Sequence, residues 1–287
     1  MDLGLRDKVV IVTGGHGAIG SAAGDCFAAE GALVVIADKL SGTNDGGAQG
    51  KKAQGKKTQG ENKNNSNGAQ HFRYLDLADE SSIESFVGGV LRDFHVIDVI
   101  VNNAAVFHFG PLEEWDGVRP LEHHLGVGLL GPLRLVQEVW RRSPRSKSGC
   151  VINVSSVAGH VGEPDAFAYT PVKAAQKGFT LSCAIEMAPH GGWAISVSPG
   201  HTWTPVHEER ARTEGLNRNE YERSSANIAS TMSGRFLEPS EVAEIIVMAA
   251  SRIGKPLTGQ DIRATFGIEA GGFNLAYRTN PGAAPSA

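Results

Sequence analysis

The sequence has few cysteines, no long apolar run and no excess of basic charge. Its three cysteines, Cys26, Cys150 and Cys183, lie far apart without metal-ligand spacing, which argues against a disulfide framework and against a metal site. No apolar stretch approaches the length of a membrane span, and the amino terminus shows no signal-peptide pattern. The formal net charge of −4 favours neither nucleic acid nor an anionic membrane as a partner. We therefore expect a cytoplasmic protein that acts on small molecules.

The pattern of apolar residues indicates an α/β fold. The chain has 287 residues, of which 41% are hydrophobic, so it can bury a substantial core. Apolar runs typical of buried strands, such as residues 8–13 (KVVIVT) and 32–38 (ALVVIAD), alternate with segments at helical spacing. This alternation predicts a single doubly wound Rossmann-type domain over residues 1–287, with a parallel sheet of about seven strands and helices on both faces.

Residues 41–70 depart from this pattern. They contain no Val, Ile, Leu, Met or aromatic residue, and QGKKAQGKKTQG within them is an imperfect repeat. Such a segment buries too little apolar surface to offset the entropy of ordering it, so we predict a disordered insertion. Its clustered lysines favour a solvated linker over a contact with anionic polymers. Residues 270–287 form a second unusual segment, a carboxyl-terminal tail.

A glycine-rich turn at residues 13–20 (TGGHGAIG) predicts a nucleotide site. Gly15, Gly17 and Gly20 make a GxGxxG pattern between a predicted strand and a predicted helix. Glycine lets the backbone approach a pyrophosphate closely, and the helix amino terminus favours its negative charge.

An acidic residue after the second predicted strand indicates the nucleotide. Asp38 follows Gly20 by 18 residues, where a carboxylate accepts hydrogen bonds from both ribose hydroxyls and repels a 2′-phosphate. This favours NAD over NADP as cofactor. The neighbouring Lys39 weakens that exclusion, because a lysine can meet a 2′-phosphate.

Six motifs resemble those of the short-chain dehydrogenase/reductase family and occur in the same order along the chain. The resemblance extends from about Leu5 to Gly267. The motifs are TGxxxGxG at Thr13, Gly14 and Gly20, with Ala18 replacing the middle glycine, LDL at 75–77, NNAA at 102–105, YxxxK at 169–173, SPGHTWTP at 198–205 and PLTGQDI at 256–262.

The resemblance implies which residues hold the cofactor. Asp76 would hold the adenine amine beside Leu77, Asn103 and the Ala104 backbone would line the adenosine, and Thr202 and Thr204 would meet the nicotinamide carboxamide. The full predicted cofactor set is Gly14, Gly15, His16, Gly17, Ile19, Gly20, Asp38, Lys39, Asp76, Leu77, Asn103, Ala104, Ala105, Tyr169, Lys173, Pro199, Gly200, Thr202 and Thr204.

The resemblance also implies a catalytic group of Ser156, Tyr169 and Lys173. The family's serine precedes its tyrosine by 13 residues, as Ser156 precedes Tyr169, and YxxxK spacing puts Tyr169 and Lys173 on one helix face. A free tyrosine has a pKa near 10, and a close ammonium together with the cationic nicotinamide ring would lower that pKa toward the range of a useful base. Pro171 is compatible with this helix if the helix begins at or just before Tyr169.

One residue of the family pattern is missing. The family places an asparagine in the preceding helix, where it helps to hold a water in a proton relay to the lysine, but no asparagine occurs between Asn103 and Asn153. Two alignments put either Gly128 or Glu122 there, with His123 or His124 as weak substitutes. We expect slower or narrower chemistry, and we expect Gly128→Asn to raise turnover.

The sequence gives less specific signals for the substrate than for the cofactor. The resemblance places the substrate lid at residues 206–236, a highly charged segment that we expect to be helical. The residues expected to line the pocket are His160, Val161, Phe167, His201 and Trp203. They suit a medium-sized, partly apolar alcohol or ketone.

The leading function is therefore an NAD(P)-dependent alcohol dehydrogenase or ketone reductase in which Tyr169 is the acid and base. An enzyme of the same fold with non-redox chemistry, such as elimination, epimerisation or cyclisation, remains an alternative, as does a non-catalytic cofactor-binding scaffold. The resemblance further implies a homodimer or homotetramer.

Overall fold

A single parallel sheet of seven strands forms the centre of the protein. The structure is a computed structural model, which describes residues 2–39, 70–114, 119–143, 148–225, 228 and 231–269. The strands are β1 (Val9–Thr13), β2 (Leu33–Asp38), β3 (Gln70–Tyr74), β4 (Val99–Asn102), β5 (Cys150–Val154), β6 (Trp193–Pro199) and β7 (Asp261–Ala264). Their order is β3-β2-β1-β4-β5-β6-β7, with every neighbouring pair parallel. The predicted α/β class is confirmed.

Helices cover both faces of the sheet. They are α1 (Ala18–Ala29), α2 (Glu80–Phe94), α3 (Arg119–Leu125), α4 (Gly131–Arg142), α5 (Tyr169–Met187), α6 (Pro205–Thr213), α7 (Arg218–Ser224) and α8 (Pro239–Ala250). A π-helical turn, Gly126–Leu130, joins α3 to α4. Helices α1 and α8 pack on one face, and α2, α4 and α5 on the other.

The strand sequences explain this two-sided packing. Side chains alternate between the faces of a strand, so Val10 and Val12 of β1 join the core beneath α1 and α8, while Val9 and Ile11 join the core beneath α2, α4 and α5. A strand covered on both faces is a continuous apolar run, as β1 is.

The topology fixes where a ligand can bind. Strand β1 pairs with β2 on one side and β4 on the other, so the order of the strands reverses between β1 and β4. In open parallel sheets this reversal leaves a crevice beyond the carboxyl ends of the strands. Thr13, Asp38, Val154 and Pro199 all end their strands at this edge.

Three predicted segments have different outcomes. Residues 41–69 of the predicted insertion and the whole tail at 270–287 lie outside the described residues, and Gln70 begins β3. The predicted lid at 206–236 contains α7 and all of α6 except its first residue, Pro205. Within the described part of the chain, no helix is long and apolar enough to cross a membrane.

Candidate active site

The glycine-rich turn between β1 and α1 has the shape that a pyrophosphate needs. Gly14 has a φ of +63°, and its N–H donates to the Ala37 carbonyl at 2.8 Å. A Cβ on Gly14 would lie 2.7 Å from Ala104 Cα, and one on Gly20 would lie 2.3 Å from the Gly14 oxygen. No side chain caps α1 at Gly17, so the first N–H groups of the helix point toward this edge.

Asn103 braces that turn from the end of β4. Its side-chain amide donates to the Thr13 carbonyl at 3.0 Å and to the Gly14 carbonyl at 3.1 Å. Its backbone N–H donates to the Thr13 hydroxyl at 3.0 Å, which donates in turn to the Val101 carbonyl at 3.2 Å. The residue expected to line the adenosine therefore also holds the pyrophosphate turn against β4.

The charges at the ends of β2 and β3 are paired. The His16 N–H donates to the Asp38 carboxylate at 3.1 Å. Lys39 forms an ion pair with Asp76 at 2.8 Å, and the other Asp76 oxygen accepts from the Ala78 N–H at 2.9 Å. Lys39 is thus directed to Asp76, and Asp38 is left as the carboxylate beside the glycine-rich turn.

Ser156, Tyr169 and Lys173 come together at the carboxyl edge of β5. Helix α5 begins at Tyr169 with Pro171 in its first turn, as predicted. Tyr169 and Lys173 are both buried, and the Lys173 Nζ lies 5.5 Å from the centroid of the Tyr169 ring. The Lys173 Nζ donates to the Val154 carbonyl at 2.7 Å, and the Ser156 side chain hydrogen-bonds to the Tyr169 hydroxyl.

Burial dominates the electrostatics of this group. Burial raises the pKa of Tyr169, the Ser156 hydrogen bond opposes this rise, and the charge of Glu163 adds to it. Burial also lowers the pKa of Lys173 to about 7. In the protein without cofactor, removal from water thus disfavours the charged forms of both side chains.

Two phenylalanines that the sequence analysis did not single out cover Tyr169. The ring centroids of Phe107 and Phe109 lie 5.6 Å and 5.2 Å from that of Tyr169. Both belong to the segment after β4, in which FHF follows NNAAV closely. Phe107 is 67% exposed, so it presents an apolar surface to solvent beside Tyr169.

The two candidates for the missing asparagine position lie in different surroundings. Gly128 is buried against α5, where a Cβ would lie 2.5 Å from Val172 Cγ1, while Glu122 is exposed on α3. The Gly128 carbonyl accepts from the Gln176 side chain at 2.7 Å. Gln176 is a further buried polar residue that the sequence did not reveal.

Several residues expected to line the substrate pocket are engaged elsewhere. The His160 Nε2 lies 2.8 Å from an Asp261 oxygen of β7. Trp203 packs edge-on against Phe236 of the predicted lid, with the ring centroids 5.4 Å apart. Phe167, by contrast, is exposed and borders a groove near the start of α5.

The segment after β6 leads into the lid. The Gly200 N–H donates to the Ala264 carbonyl at 2.8 Å, and a Cβ on Gly200 would lie 3.0 Å from Thr265 Cα. The Thr202 hydroxyl donates to the Gly200 carbonyl at 3.1 Å, and Thr204 precedes α6 as its N-cap. Both threonines therefore stand at the entrance to the lid.

Comparison with known proteins identifies the class. Residues 8–215 match the short chain dehydrogenase family, which covers well over half of the chain. The chain therefore belongs to the short-chain dehydrogenase family of oxidoreductases, whose members use NAD(H) or NADP(H).

Individual relatives and solved structures agree with this family. The chain is 31% identical to cyclopentanol dehydrogenase of Comamonas testosteroni over 252 residues, covering 86% of this chain and 91% of that protein. It is 30% identical to galactitol 2-dehydrogenase of Agrobacterium fabrum, and the match covers 94% of this chain and 98% of that protein. The ligand-free aldohexose dehydrogenase of Thermoplasma acidophilum superposes with a TM-score of 0.76 at 25% identity, covering 94% of this chain and 96% of that one.

Proposed function

We propose that this protein transfers a hydride between a nicotinamide cofactor and a secondary alcohol or ketone, with Tyr169 as the acid and base. The observation that carries the proposal is the meeting of Ser156, Tyr169 and Lys173 at the edge of the sheet that also bears the glycine-rich turn. When bound, the cofactor would supply the hydride acceptor or donor.

The cofactor residues fit a dinucleotide. Gly14, Gly15 and Gly20 leave no room for side chains, and the uncapped start of α1 would hold the pyrophosphate. Asp38 would accept from the ribose hydroxyls, and the ion pair with Asp76 directs Lys39 away from a 2′-phosphate. We therefore favour NAD over NADP.

Side chains of the protein would transfer the proton of the substrate hydroxyl group. During alcohol oxidation the Tyr169 oxygen takes the hydroxyl proton, and during ketone reduction it returns a proton to the carbonyl oxygen. The Ser156 hydroxyl donates a hydrogen bond to the same substrate oxygen and shares its developing charge. Lys173, fixed to the Val154 carbonyl, stabilises the phenolate whenever it carries its proton.

The names of the relatives support a secondary alcohol as substrate. The similar dehydrogenases include enzymes named for cyclopentanol, galactitol and L-fucose. These names favour redox chemistry over elimination, epimerisation, cyclisation or a scaffold role.

Self-association fits the surface of α5. Leu181 and Ile185 are 52% and 71% exposed on the same helix face, and Leu133 of α4 is also exposed. Exposed apolar side chains at this spacing suit a contact with a second copy of the chain, so we propose a homodimer or homotetramer.

The test combines cofactor binding with turnover. We expect the purified protein to bind NADH more tightly than NADPH and to oxidise it with a panel of ketones. Tyr169→Phe should lower kcat by about 10³-fold while the Kd for NADH is unchanged, because only the proton-transfer group is removed. If the protein oxidises neither NADH nor NADPH with any ketone of the panel, the proposal is contradicted.

A further inference from the structure

Four polar side chains from four different elements form a chain of hydrogen bonds outside the proposed catalytic group. The Lys177 Nζ of α5 lies 3.4 Å from the Nδ1 of His160, in the turn after β5. The His160 Nε2 lies 3.2 Å from the Ser198 hydroxyl of β6. That hydroxyl donates to the Asp261 carboxylate of β7 at 2.7 Å. The chain therefore ties the turn after β5 to α5 on one side and to β6 and β7 on the other.

The donors and acceptors of this chain fit together in one direction. A lysine ammonium only donates, so the His160 Nδ1 is the acceptor and the ring proton lies on Nε2. The single hydrogen of the Ser198 hydroxyl goes to Asp261, so its oxygen accepts from that Nε2. Ser198 is fully buried, and the side chains of His160 and Asp261 are only 13% and 16% exposed. Buried side-chain networks with matched donors and acceptors hold their members rigidly.

His160 ends the same short turn that Ser156 begins. The turn is a 3-10 helix, Val157–Gly159, whose start is capped by the Ser156 side chain. The His160 N–H closes it by donating to the carbonyl of its first residue at 2.9 Å. A Cβ on its glycine would lie 2.9 Å from the backbone of α5 at Lys173, so the turn lies directly on that helix. Ser156 and the His160 side chain are thus joined by one compact piece of backbone.

We propose that His160 is a positioning residue for Ser156. The chain from Lys177 to Asp261 fixes the far end of the turn, and the turn in consequence holds the Ser156 hydroxyl in its hydrogen bond with Tyr169. The inference rests on the proposed function, because the place of the Ser156 hydroxyl matters to catalysis only where it meets a substrate oxygen.

Two substitutions of His160 test this role through turnover. His160→Leu removes both ring contacts and should lower kcat for the best ketone of the panel by about 10- to 100-fold, because a displacement of about 1 Å near the reacting atoms has an effect of this order. The Kd for NADH should stay unchanged. His160→Gln keeps a donor for Ser198, so its kcat should remain within about 5-fold of the natural value, the worth of one neutral hydrogen bond. A natural kcat in His160→Leu would overturn the proposal.

His71→Leu is the matched control. His71 is also a half-buried histidine, and its ring packs edge-on against Phe94 with the centroids 5.2 Å apart. It lies on β3, at the edge of the sheet opposite to β7. Loss of this imidazole should lower stability and leave kcat unchanged. A fall in kcat equal to that of His160→Leu would assign the effect to general loosening of the protein and contradict the proposal.

The pH profile separates positioning from a merely structural role. Burial raises the pKa of Tyr169, and the Ser156 hydrogen bond opposes this rise. Displacement of Ser156 lets the pKa rise further, and alcohol oxidation needs the ionised tyrosine, so the rising limb of kcat/KM should move to higher pH in His160→Leu. The charged neighbours of the phenol, Lys173 and Glu163, are the same in every variant.

His160→Gln should keep the natural position of that limb. Because this variant also lacks the titratable ring, a shared profile excludes titration of His160 as the cause of the shift in His160→Leu. A limb that stays in place in His160→Leu would contradict a role through Ser156.

A break in the middle of the chain should act in the same direction. Ser198→Ala removes the link between His160 and Asp261 and should lower kcat by itself. The double variant with His160→Leu should lose no more than His160→Leu alone, because both changes act through one chain. Losses that multiply would show that the two residues act independently and contradict the proposal.

A crystal structure of His160→Leu tests the positioning without turnover. We expect its Ser156 hydroxyl to lie beyond hydrogen-bond distance of the Tyr169 hydroxyl. If Ser156 keeps its place, this inference fails, whatever the activity. If Ser156 moves but the natural protein oxidises neither NADH nor NADPH with any ketone, the positioning by His160 is supported and the proposed function fails.

Discussion

Two glycine-rich turns of this protein have nearly the same steric signature and serve different purposes. In the turn before α1, a Cβ on Gly20 would lie 2.3 Å from the Gly14 oxygen. In the π turn before α4, a Cβ on Gly128 would lie 2.5 Å from Val172 Cγ1, and one on Gly131 would lie 2.4 Å from the Leu77 oxygen. At Gly20 the nearest atom belongs to the backbone of its own turn, whereas at Gly128 and Gly131 it belongs to a neighbouring part of the protein.

The surroundings decide which turn can bind a ligand. The first turn follows a strand and starts a helix, so the unpaired N–H groups of α1 face the edge of the sheet. The second turn lies between two helices, and the Gly128 carbonyl accepts from the Gln176 side chain of α5. Glycine spacing therefore indicates close approach, and the flanking elements tell whether the approaching group is a ligand or a side chain.

The largest effect is expected in the first turn. Gly20→Ala forces a methyl group against a backbone carbonyl that cannot rotate away, so the turn must open. We expect a loss of about 3 kcal/mol in the free energy of unfolding and much weaker NADH binding. Urea unfolding and fluorescence titration measure both quantities.

Gly17→Ala is the matched control in the same turn. Its Cβ would meet the Gly14 oxygen at 3.2 Å, a contact that a small shift relieves. Stability and NADH affinity should change much less than in Gly20→Ala. Equal losses in the two variants would mean that glycine content, and not the specific contact at Gly20, controls this turn.

The first turn was predictable from the sequence because its signal is local. Strand, glycines and helix follow one another within a few residues, and Tyr169 and Lys173 share one helix face by spacing alone. Phe107, which covers Tyr169, and Gln176, which holds Gly128, were not predictable, because their contacts join elements distant in sequence. The same reason explains why the sequence left Gly128 and Glu122 as alternatives.

The second turn should respond to its packing partner. Gly128→Ala should cost about 2 kcal/mol in the free energy of unfolding, because the new methyl group presses on Val172 in a tight core. Val172→Ala removes that methyl contact, so the double variant should be more stable than the sum of the two single losses predicts. Urea unfolding of the four proteins measures this coupling, and strictly additive losses would show that the two residues do not compete for space.

The close approach of Gly128 to Val172 also determines how the missing asparagine should be tested. Gly128→Asn in the natural background combines the expected gain in the relay with a collision at Val172. The Val172→Ala background separates the two effects, and turnover there should exceed that of Val172→Ala alone. Turnover no higher than that of Val172→Ala would remove the relay argument.

The smallest predicted effect concerns the dry environment of Lys173, between Val172 and Gln176 on α5. Burial lowers its pKa from the usual 10.5 to about 7. Between these values the unfolded lysine holds a proton that the folded one has lost, so stability rises with pH. From pH 7 to pH 9 the free energy of unfolding should rise by about 2 kcal/mol more in the natural protein than in Lys173→Met. An equal slope in Lys173→Met and the natural protein would show that Lys173 stays protonated when the protein folds.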